Sequence, residues 1–283
     1  MTKKKNPTKS LEEKLLKQLK GQNLTDAELK RVIKGMREPR KHRIKQYTHN
    51  ETDEFLFGLL GDSHFGAKST NKAALNDYYK KAYNDHGVRE FYHAGDIVDG
   101  IPVHRGMIFE QYALGVDAQV EDVAKDYPSL EDAVTYFITG NHGLWAQKNV
   151  GVDVGNLIEN KRDDLIYLGP EEADIQVAKA ITLRLIHPGG GSSYALSYKP
   201  QKIIEAYSGG TKPNILGIGH FHKMIQMYYR NVHAFMTGTF ENQTPFMRSK
   251  GLAAHVGGWV IKGRSHPKKG ILEIQGLFIP YYD

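Results

Sequence analysis

Asp62 and His64, Asp96, Asn141 and His142, His187, and His220 and His222 are the side chains whose types and placement can do chemistry. They fall at five points along the chain, each just after a short apolar run. Taken singly, each has an ordinary reading. A lone histidine is most often a surface or satisfied core residue. Asp62 alone reads as a turn former, and His220 with His222 as one face of a strand. Taken together they supply two carboxylates, one amide oxygen and four imidazoles, with His142 left over. That donor set is enough for two divalent ions sharing one carboxylate. Manganese, iron and zinc all suit it, manganese first, whereas calcium or magnesium alone fit four imidazoles poorly. Two cations about 3.5–4 Å apart can neutralise a phosphate ester and acidify a bridging water. A histidine beside them can protonate the leaving oxygen, a role worth roughly 10²–10⁴ in rate. The chain has no cysteine, which removes disulfides, cysteine-based zinc sites, iron–sulfur clusters and thiol nucleophiles together.

The apolar runs that must position these residues read as strands over 54–61, 88–93, 134–139, 181–187 and 214–218. Helical patterns lie at 71–86, about 107–126, 150–161 and 196–207. Further short strands are expected near 165–168 and 174–178, and residues 223–279 are strand-rich with turn glycines. Strand–helix alternation implies βαβ units, and the tail implies added antiparallel strands. Open α/β sheets bind ligands outside the carboxyl ends of their strands, where all eight residues fall.

Four segments carry a family likeness. Gly61-Asp62-Ser63-His64-Phe65-Gly66, Gly95-Asp96-Ile97-Val98-Asp99-Gly100, Gly140-Asn141-His142-Gly143 and Gly219-His220-Phe221-His222 resemble the motifs of calcineurin-like metallophosphoesterases, in the family's order. His187 before Pro188-Gly189 is similar to a fifth motif. The resemblance covers about residues 53–283 and implies a four-layer α/β/β/α sandwich; residues 1–50 lie outside it and read as a short N-terminal helical extension. It implies that Asp62, His64 and His222 hold one metal, that Asn141, His187 and His220 hold the other, and that Asp96 bridges them. His142 would be the catalytic histidine. Two positions depart from the family's protein phosphatases. Gly100 stands where they carry arginine, and Gly143 stands where they carry an acidic residue. Both departures count against a phosphoprotein phosphatase, and the motif style is closer to DNA-repair exonucleases and to bacteriophage-encoded phosphoesterases.

Candidate substrate contacts are less sharply marked. Gly189 and Gly190, with Gly191, Ser192 and Ser193, can bring backbone N–H groups near a phosphate or form a plain turn. His104 and Arg105 can replace the missing arginine or sit in a solvated loop. Residues 243–248 can line the site. Trp145 and Tyr194 can stack on a base, but packing is the expected role of each.

The 283 residues carry a formal charge of +6, distributed unevenly. Residues 1–50 hold 15 Lys/Arg against 5 Asp/Glu, and the remainder 23 against 27. Two short amphipathic helices are expected in the basic segment, followed by a basic linker over 37–50. The domain reading is therefore a basic helical extension over 1–50 and a phosphoesterase domain over 51–283. A basic arm on an acidic body suits a polyanion, so the expected partner is nucleic acid. No apolar run is long enough to cross a bilayer and no signal-peptide core is present, so the expected location is cytoplasmic with no membrane partner. The function expected is a dinuclear-metal phosphodiesterase acting on nucleic acid. The alternatives are a phosphomonoesterase or a phosphodiesterase of small or cyclic nucleotides, and a non-catalytic, metal-supported interaction module.

Overall fold

The computed structural model describes residues 54–103 and 106–282. The helices expected before residue 50, the boundary near 50 and the pair His104–Arg105 lie outside the described residues. The chain runs β1 (Glu54–Leu60), α1 (Lys72–His86), β2 (Glu90–Ala94), α2 (Met107–Glu110), α3 (Val116–Asp126), β3 (Val134–Ile138), α4 (Gly140–Val150), α5 (Val154–Glu159) and β4 (Leu165–Gly169). It continues through β5 (Glu172–Ala178), β6 (Ile181–Ile186), α6 (Tyr198–Ala206), β7 (Ile215–Ile218), β8 (Met224–Tyr229), β9 (Val232–Thr237), α7 (Pro245–Ser249), β10 (Gly257–His266) and β11 (Gly270–Pro280).

These strands form two sheets, ordered β11-β10-β1-β2-β3-β4 and β5-β6-β7-β9-β8. Strands β1 to β4 pair in parallel, as do β6 with β7 and β7 with β9. β10 and β11 extend the first sheet with antiparallel pairing. From Phe57 to Leu60 the apolar run of β1 is buried on both faces, which is why it reads as continuous rather than alternating, whereas Leu56 is exposed. Its Phe55, Phe57 and Leu59 join Ile175, Leu185 and Phe235 in the core between the sheets. Its Leu60 faces the opposite side, in a core shared with α1, α3, α4 and α5. A third apolar cluster joins α6, through Ile204, to the outer face of the second sheet. The expected two sheets flanked by helices are thus present.

Helix α1 shows how sequence sets an element. Asn71 caps it by accepting from the Ala74 N–H at 2.9 Å, and Gly87 ends it in the left-handed region. Leu75, Tyr78, Tyr79 and Ala82 recur at helical spacing and are buried. Burying one large apolar side chain of this kind stabilises by about 1.5–3 kcal/mol. The two tyrosine hydroxyls remain satisfied, Tyr78 donating to the Trp259 carbonyl at 2.6 Å and Tyr79 meeting Thr135 Oγ1 at 2.8 Å.

Two helical expectations need correction. The helix expected over 107–126 is broken into α2 and α3. The Tyr112 and Ala113 N–H groups donate to the Gly66 carbonyl at 2.9 and 3.3 Å, outside any helix, and Gly115 restarts the chain at φ 87°. The helix expected over 150–161 begins at Gly140 and is interrupted by Gly151, giving α4 and α5. Thr139, at the head of α4, makes no side-chain cap, so the usual start signal is missing. A carboxylate from another strand end takes that role, as described below. Among the described residues, no helix is long and apolar enough to cross a membrane.

Candidate metal centre

The parallel strands β1, β2 and β3 of one sheet and β6 and β7 of the other bring their carboxyl ends to one place. Asp62 and His64 follow β1, Asp96 follows β2, Asn141 and His142 open α4 after β3, His187 follows β6, and His220 and His222 follow β7. Asp62, His64, Asp96, His220 and His222 all hold positive φ, between 48° and 79°. Among the described residues only Ala180, Arg230 and Asn231 are other non-glycines that do so. The left-handed conformation costs an L residue about 1–2 kcal/mol, and it recurs where a site aims side chains against local preference. Hydrogen bonds in series hold the turns. The Asp62 N–H donates to the Gly95 carbonyl at 2.9 Å, His64 N–H to the Asp96 carbonyl at 3.0 Å, and Asp96 N–H to the Thr139 carbonyl at 3.0 Å.

Asn141, His187 and His220 form one group. His187 Nδ1 donates to the Ala94 carbonyl at 2.8 Å, which ties β6 to β2 and leaves Nε2 as the inward lone pair. His220 Nε2 donates to the Gly190 carbonyl at 2.6 Å, which leaves Nδ1 inward. These two nitrogens lie 2.9 and 3.0 Å from Asn141 Oδ1. Three lone pairs thus converge, an arrangement that needs a proton or a cation between them.

Asp62, His64 and His222 form the second group. The Nε2 atoms of His64 and His222 are 3.1 Å apart, and His222 Nε2 is 3.4 Å from Asp62 Oδ1. Among the described residues the buried Nδ1 atoms of both histidines have no hydrogen-bond partner, although they face Asp99 Oδ1 at 3.4 Å and Glu241 Oε2 at 3.7 Å respectively. Both Asp62 oxygens accept from the His220 N–H, at 2.9 and 3.0 Å, which locks the two groups together. Asp96 stands between them. Its Oδ2 is 3.0 Å from His187 Nε2 and 4.0 Å from His64 Nε2. Its Oδ1 accepts from the His142 N–H at 3.0 Å, so this carboxylate also caps the head of α4. Asp62, His64 and His222 offer donor atoms within 4.8 Å of one another, and so do Asp96, His187 and His220. The mixed N/O donors, their burial and the converging lone pairs fit bound metal cations.

The protonation states agree with that fit. Burial pushes the Asp62 and Asp96 carboxyls up, but the imidazoles outweigh it. Contact with His222 holds Asp62 below the usual range, and His187 and His142 hold Asp96 well below it. Burial pulls His64 and His187 down, yet the carboxylates raise them to about 10 and about 9. Glu241 and Asp99 act most on His64, and Asp96 on His187. Protons and metal ions compete for these lone pairs, so cation uptake releases protons and weakens in acid.

His142 is held differently. Its Nδ1 lies 2.5 Å from the Asp99 carbonyl, which can only accept, so Nδ1 carries a proton and Nε2 is the atom that gives or takes one. Its ring packs on Trp145 at a centroid distance of 4.4 Å. Burial lowers its pKa, and Asp96 partly offsets the shift. The two departures from the phosphatase pattern have a packing cause here. A Cβ on Gly100, where φ is 73°, would stand 2.7 Å from the His142 carbonyl oxygen. A Cβ on Gly143 would stand 2.5 Å from Thr139 Cβ. Gly100→Ala is therefore expected to destabilise the fold by about 1–3 kcal/mol, measured as a lower thermal midpoint. An unchanged midpoint would show that His142 has room to shift.

Beside the cluster lies a cavity of about 530 Å³. Gly190, Gly191 and Ser192 reach its wall, whereas Gly189 is not among the lining residues. The Gly190 group facing His220 is its carbonyl, an acceptor, rather than the N–H expected to meet a phosphate. Thr244, Phe246 and Met247 line the cavity, in line with the expectation for 243–248. Trp145 is half-buried there, but Tyr194 is fully exposed and does not pack. Two further acids, Asp99 and Glu241, stand at the site although sequence reasoning does not single them out. Both are buried, and their carboxylates lie 3.4 Å from His64 Nδ1 and 3.9 Å from His64 Nε2. Asp99 is visible in the sequence as the second acid of its motif. Glu241 follows β9 closely, a strand-end acid inside a stretch that reads only as strand-rich.

No family model matches the chain. The DNA polymerase II small subunit of Methanothermobacter thermautotrophicus is 24% identical over 242 residues, spanning 69% of this chain and 49% of that protein. The DNA polymerase II small subunit of Methanocaldococcus jannaschii is 25% identical over 246 residues, 74% of this chain and 38% of that protein. The chain thus matches about half or less of the length of these curated relatives. Among solved structures, an archaeal phosphodiesterase matches at 10% identity and a TM-score of 0.41, over 79% of this chain and 99% of its own. Plasmodium GAP50 matches at 12% identity and a TM-score of 0.44, over 80% of this chain and 89% of its own.

Proposed function

We propose that the chain is a dinuclear-metal phosphodiesterase of the calcineurin-like kind, acting on nucleic acid. The observation that carries this reading is the pair of three-residue donor groups next to Asp96, whose Oδ2 lies 3.0 Å from His187 Nε2 and 4.0 Å from His64 Nε2. Asp62, His64 and His222 would hold one cation, Asn141, His187 and His220 the other, with Asp96 between them. Bound there, two divalent cations, manganese first, supply charge neutralisation at the phosphate and an acidified water. The uncharged amide of Asn141 adds a donor without repelling the ester. His142 Nε2 faces the same space, 3.8 Å from Asp96 Oδ2, and would pass a proton to the leaving oxygen. The Asp99 carbonyl and the Trp145 ring keep that nitrogen aimed.

The nucleic-acid part of the reading is supported by the basic segment over 1–50 and by the resemblance to DNA polymerase small subunits. The test uses the full chain with manganese on bis-p-nitrophenyl phosphate, p-nitrophenyl phosphate and single- and double-stranded DNA. Diester and DNA cleavage above monoester cleavage is expected, and a monoester preference would replace the reading with a phosphomonoesterase. Replacing Arg37, Arg40, Lys41, Arg43 and Lys45 by serine should flatten the salt dependence of DNA binding. For every phosphate the variant no longer neutralises, the log–log slope should fall by about 0.9 on duplex or about 0.7 on single strands. An unchanged slope would show that this segment is not the DNA grip.

A further inference from the structure

We propose that Glu241 is a positioning residue for the group of Asp62, His64 and His222, its carboxylate standing behind His222 and making that group the tighter of two cation positions; this rests on the dinuclear reading above. The four histidines of the two groups are backed in two different ways. On the side of Asn141 the rear nitrogens meet neutral backbone. His187 Nδ1 donates to the Ala94 carbonyl at 2.8 Å, and His220 Nε2 donates to the Gly190 carbonyl at 2.6 Å. On the side of Asp62 they face carboxylates. His64 Nδ1 is 3.4 Å from Asp99 Oδ1, and His222 Nδ1 is 3.7 Å from Glu241 Oε2. A group behind a ligating imidazole fixes which nitrogen carries the proton and strengthens the other as a donor. An ionised acceptor does this more strongly than a neutral carbonyl. At 3.7 Å the pair is held by the attraction of a charge for the N–H dipole rather than by a formed hydrogen bond. Charge, not shape, is therefore the property that Glu241 contributes.

Glu241 is firmly set in this place. It is 4% exposed, and a carboxylate so buried is costly unless it meets a donor or a positive group. Its Oε1 accepts from Ser69 Oγ at 2.7 Å. Its Oε2 faces the two histidines, His222 Nδ1 and, at 3.9 Å, His64 Nε2. The main chain is tied down on both sides of it. The Asn71 N–H donates to the Phe240 carbonyl at 2.7 Å, and the Asn242 N–H to the Ser69 carbonyl at 2.8 Å. The Glu241 N–H donates to Thr239 Oγ1 at 3.0 Å, and that hydroxyl donates to the Asp62 carbonyl at 2.7 Å. The acid is thus linked through one side chain to the residue that opens the group. Glu241 also lines the cavity. A carboxylate repels a phosphate ester, which favours the histidines over substrate as its partners.

The test is a calorimetric titration of manganese into chelator-treated full-length protein. Wild-type protein should show two unequal binding events, the tighter of which is lost in His222→Ala. Glu241→Gln keeps the size of the side chain and its reach to Ser69 but removes the charge. It should weaken that same event about 10–100-fold, the scale for the partner of a metal ligand, and leave the weaker event unchanged. Ser69→Ala keeps the charge and removes only its neighbour, so it should cost less than Glu241→Gln. Unchanged affinity in Glu241→Gln would overturn the proposal, as would a loss confined to the weaker event. Equal losses in Glu241→Gln and Ser69→Ala would mark a packing role and overturn it too. The wild-type and His222→Ala titrations test the inequality even if Glu241→Gln does not fold, and two wild-type events of equal affinity would refute it. A wild-type chain that takes up no manganese would instead bring down the dinuclear reading itself.

Discussion

Asp96→Asn is expected to cost more activity than the loss of any single outer ligand, and to weaken both metal positions at once. The reason lies in its two oxygens. One fixes the head of α4 through the His142 N–H, and the other faces His187 Nε2 at 3.0 Å and His64 Nε2 at 4.0 Å. Asparagine keeps the size and one oxygen but puts an NH₂ group toward one neighbour and removes the charge that would balance bound cations. Changing an outer-shell partner of a metal ligand typically costs 10–100-fold in affinity or activity, so a bridging ligand should exceed about 100-fold. His222→Ala, which lies with Asp62 and His64 rather than in the group of Asn141, His187 and His220, is the comparison. Metal content after gel filtration should fall from about two ions per chain toward none in Asp96→Asn, and toward one in His222→Ala. Two tightly held ions in Asp96→Asn, or a larger loss in His222→Ala, would remove Asp96 from the bridging position.

The residues of this centre are legible in the sequence because they are punctuation. Each follows an apolar run that can only be a buried strand, and parallel strands put their carboxyl ends on one edge. What the sequence does not show is how the ends are joined. The Asp96 carboxylate capping α4 is a contact between residues 46 apart, and no local start signal announces it. The same contact explains why α4 begins at Gly140, well before the helical pattern over 150–161. The break between α2 and α3 is equally non-local, since the Gly66 carbonyl captures the N–H groups that would have continued the helix. Glu241 stays hidden because an acid after a strand is common and becomes informative only beside His64 and His222. The polar residues after the strand ends carry the site, while long-range hydrogen bonds decide the helix boundaries.

His142→Ala is expected to keep both metal ions and the fold while losing most turnover on esters with poor leaving groups. Its backbone N–H, the part that binds Asp96, survives the substitution, so α4 should stay capped. What the substitution removes is the imidazole, half-sunk between Asp99 and Trp145 with only Nε2 available for a proton. General acid catalysis by such a group contributes roughly 10²–10⁴. An alkoxide leaving group needs that proton and should show most of the loss. p-Nitrophenolate leaves without it and should show little. The pH dependence has a defined sign. Since Nδ1 is committed to the Asp99 carbonyl, a proton on Nε2 makes the ring an imidazolium, and burial lowers the pKa at which this happens. The rate on alkyl esters should therefore decline as pH rises through that lowered value, a limb absent from His142→Ala. Paired assays of an alkyl and a p-nitrophenyl diester across pH, with metal analysis of the same samples, test all three statements. Loss of metal in His142→Ala would move the residue into the ligand shell, since its donor atom lies within 4.8 Å of those of His64 and Asp96. Equal loss on both esters would leave it an electrostatic group at the phosphate rather than the proton donor.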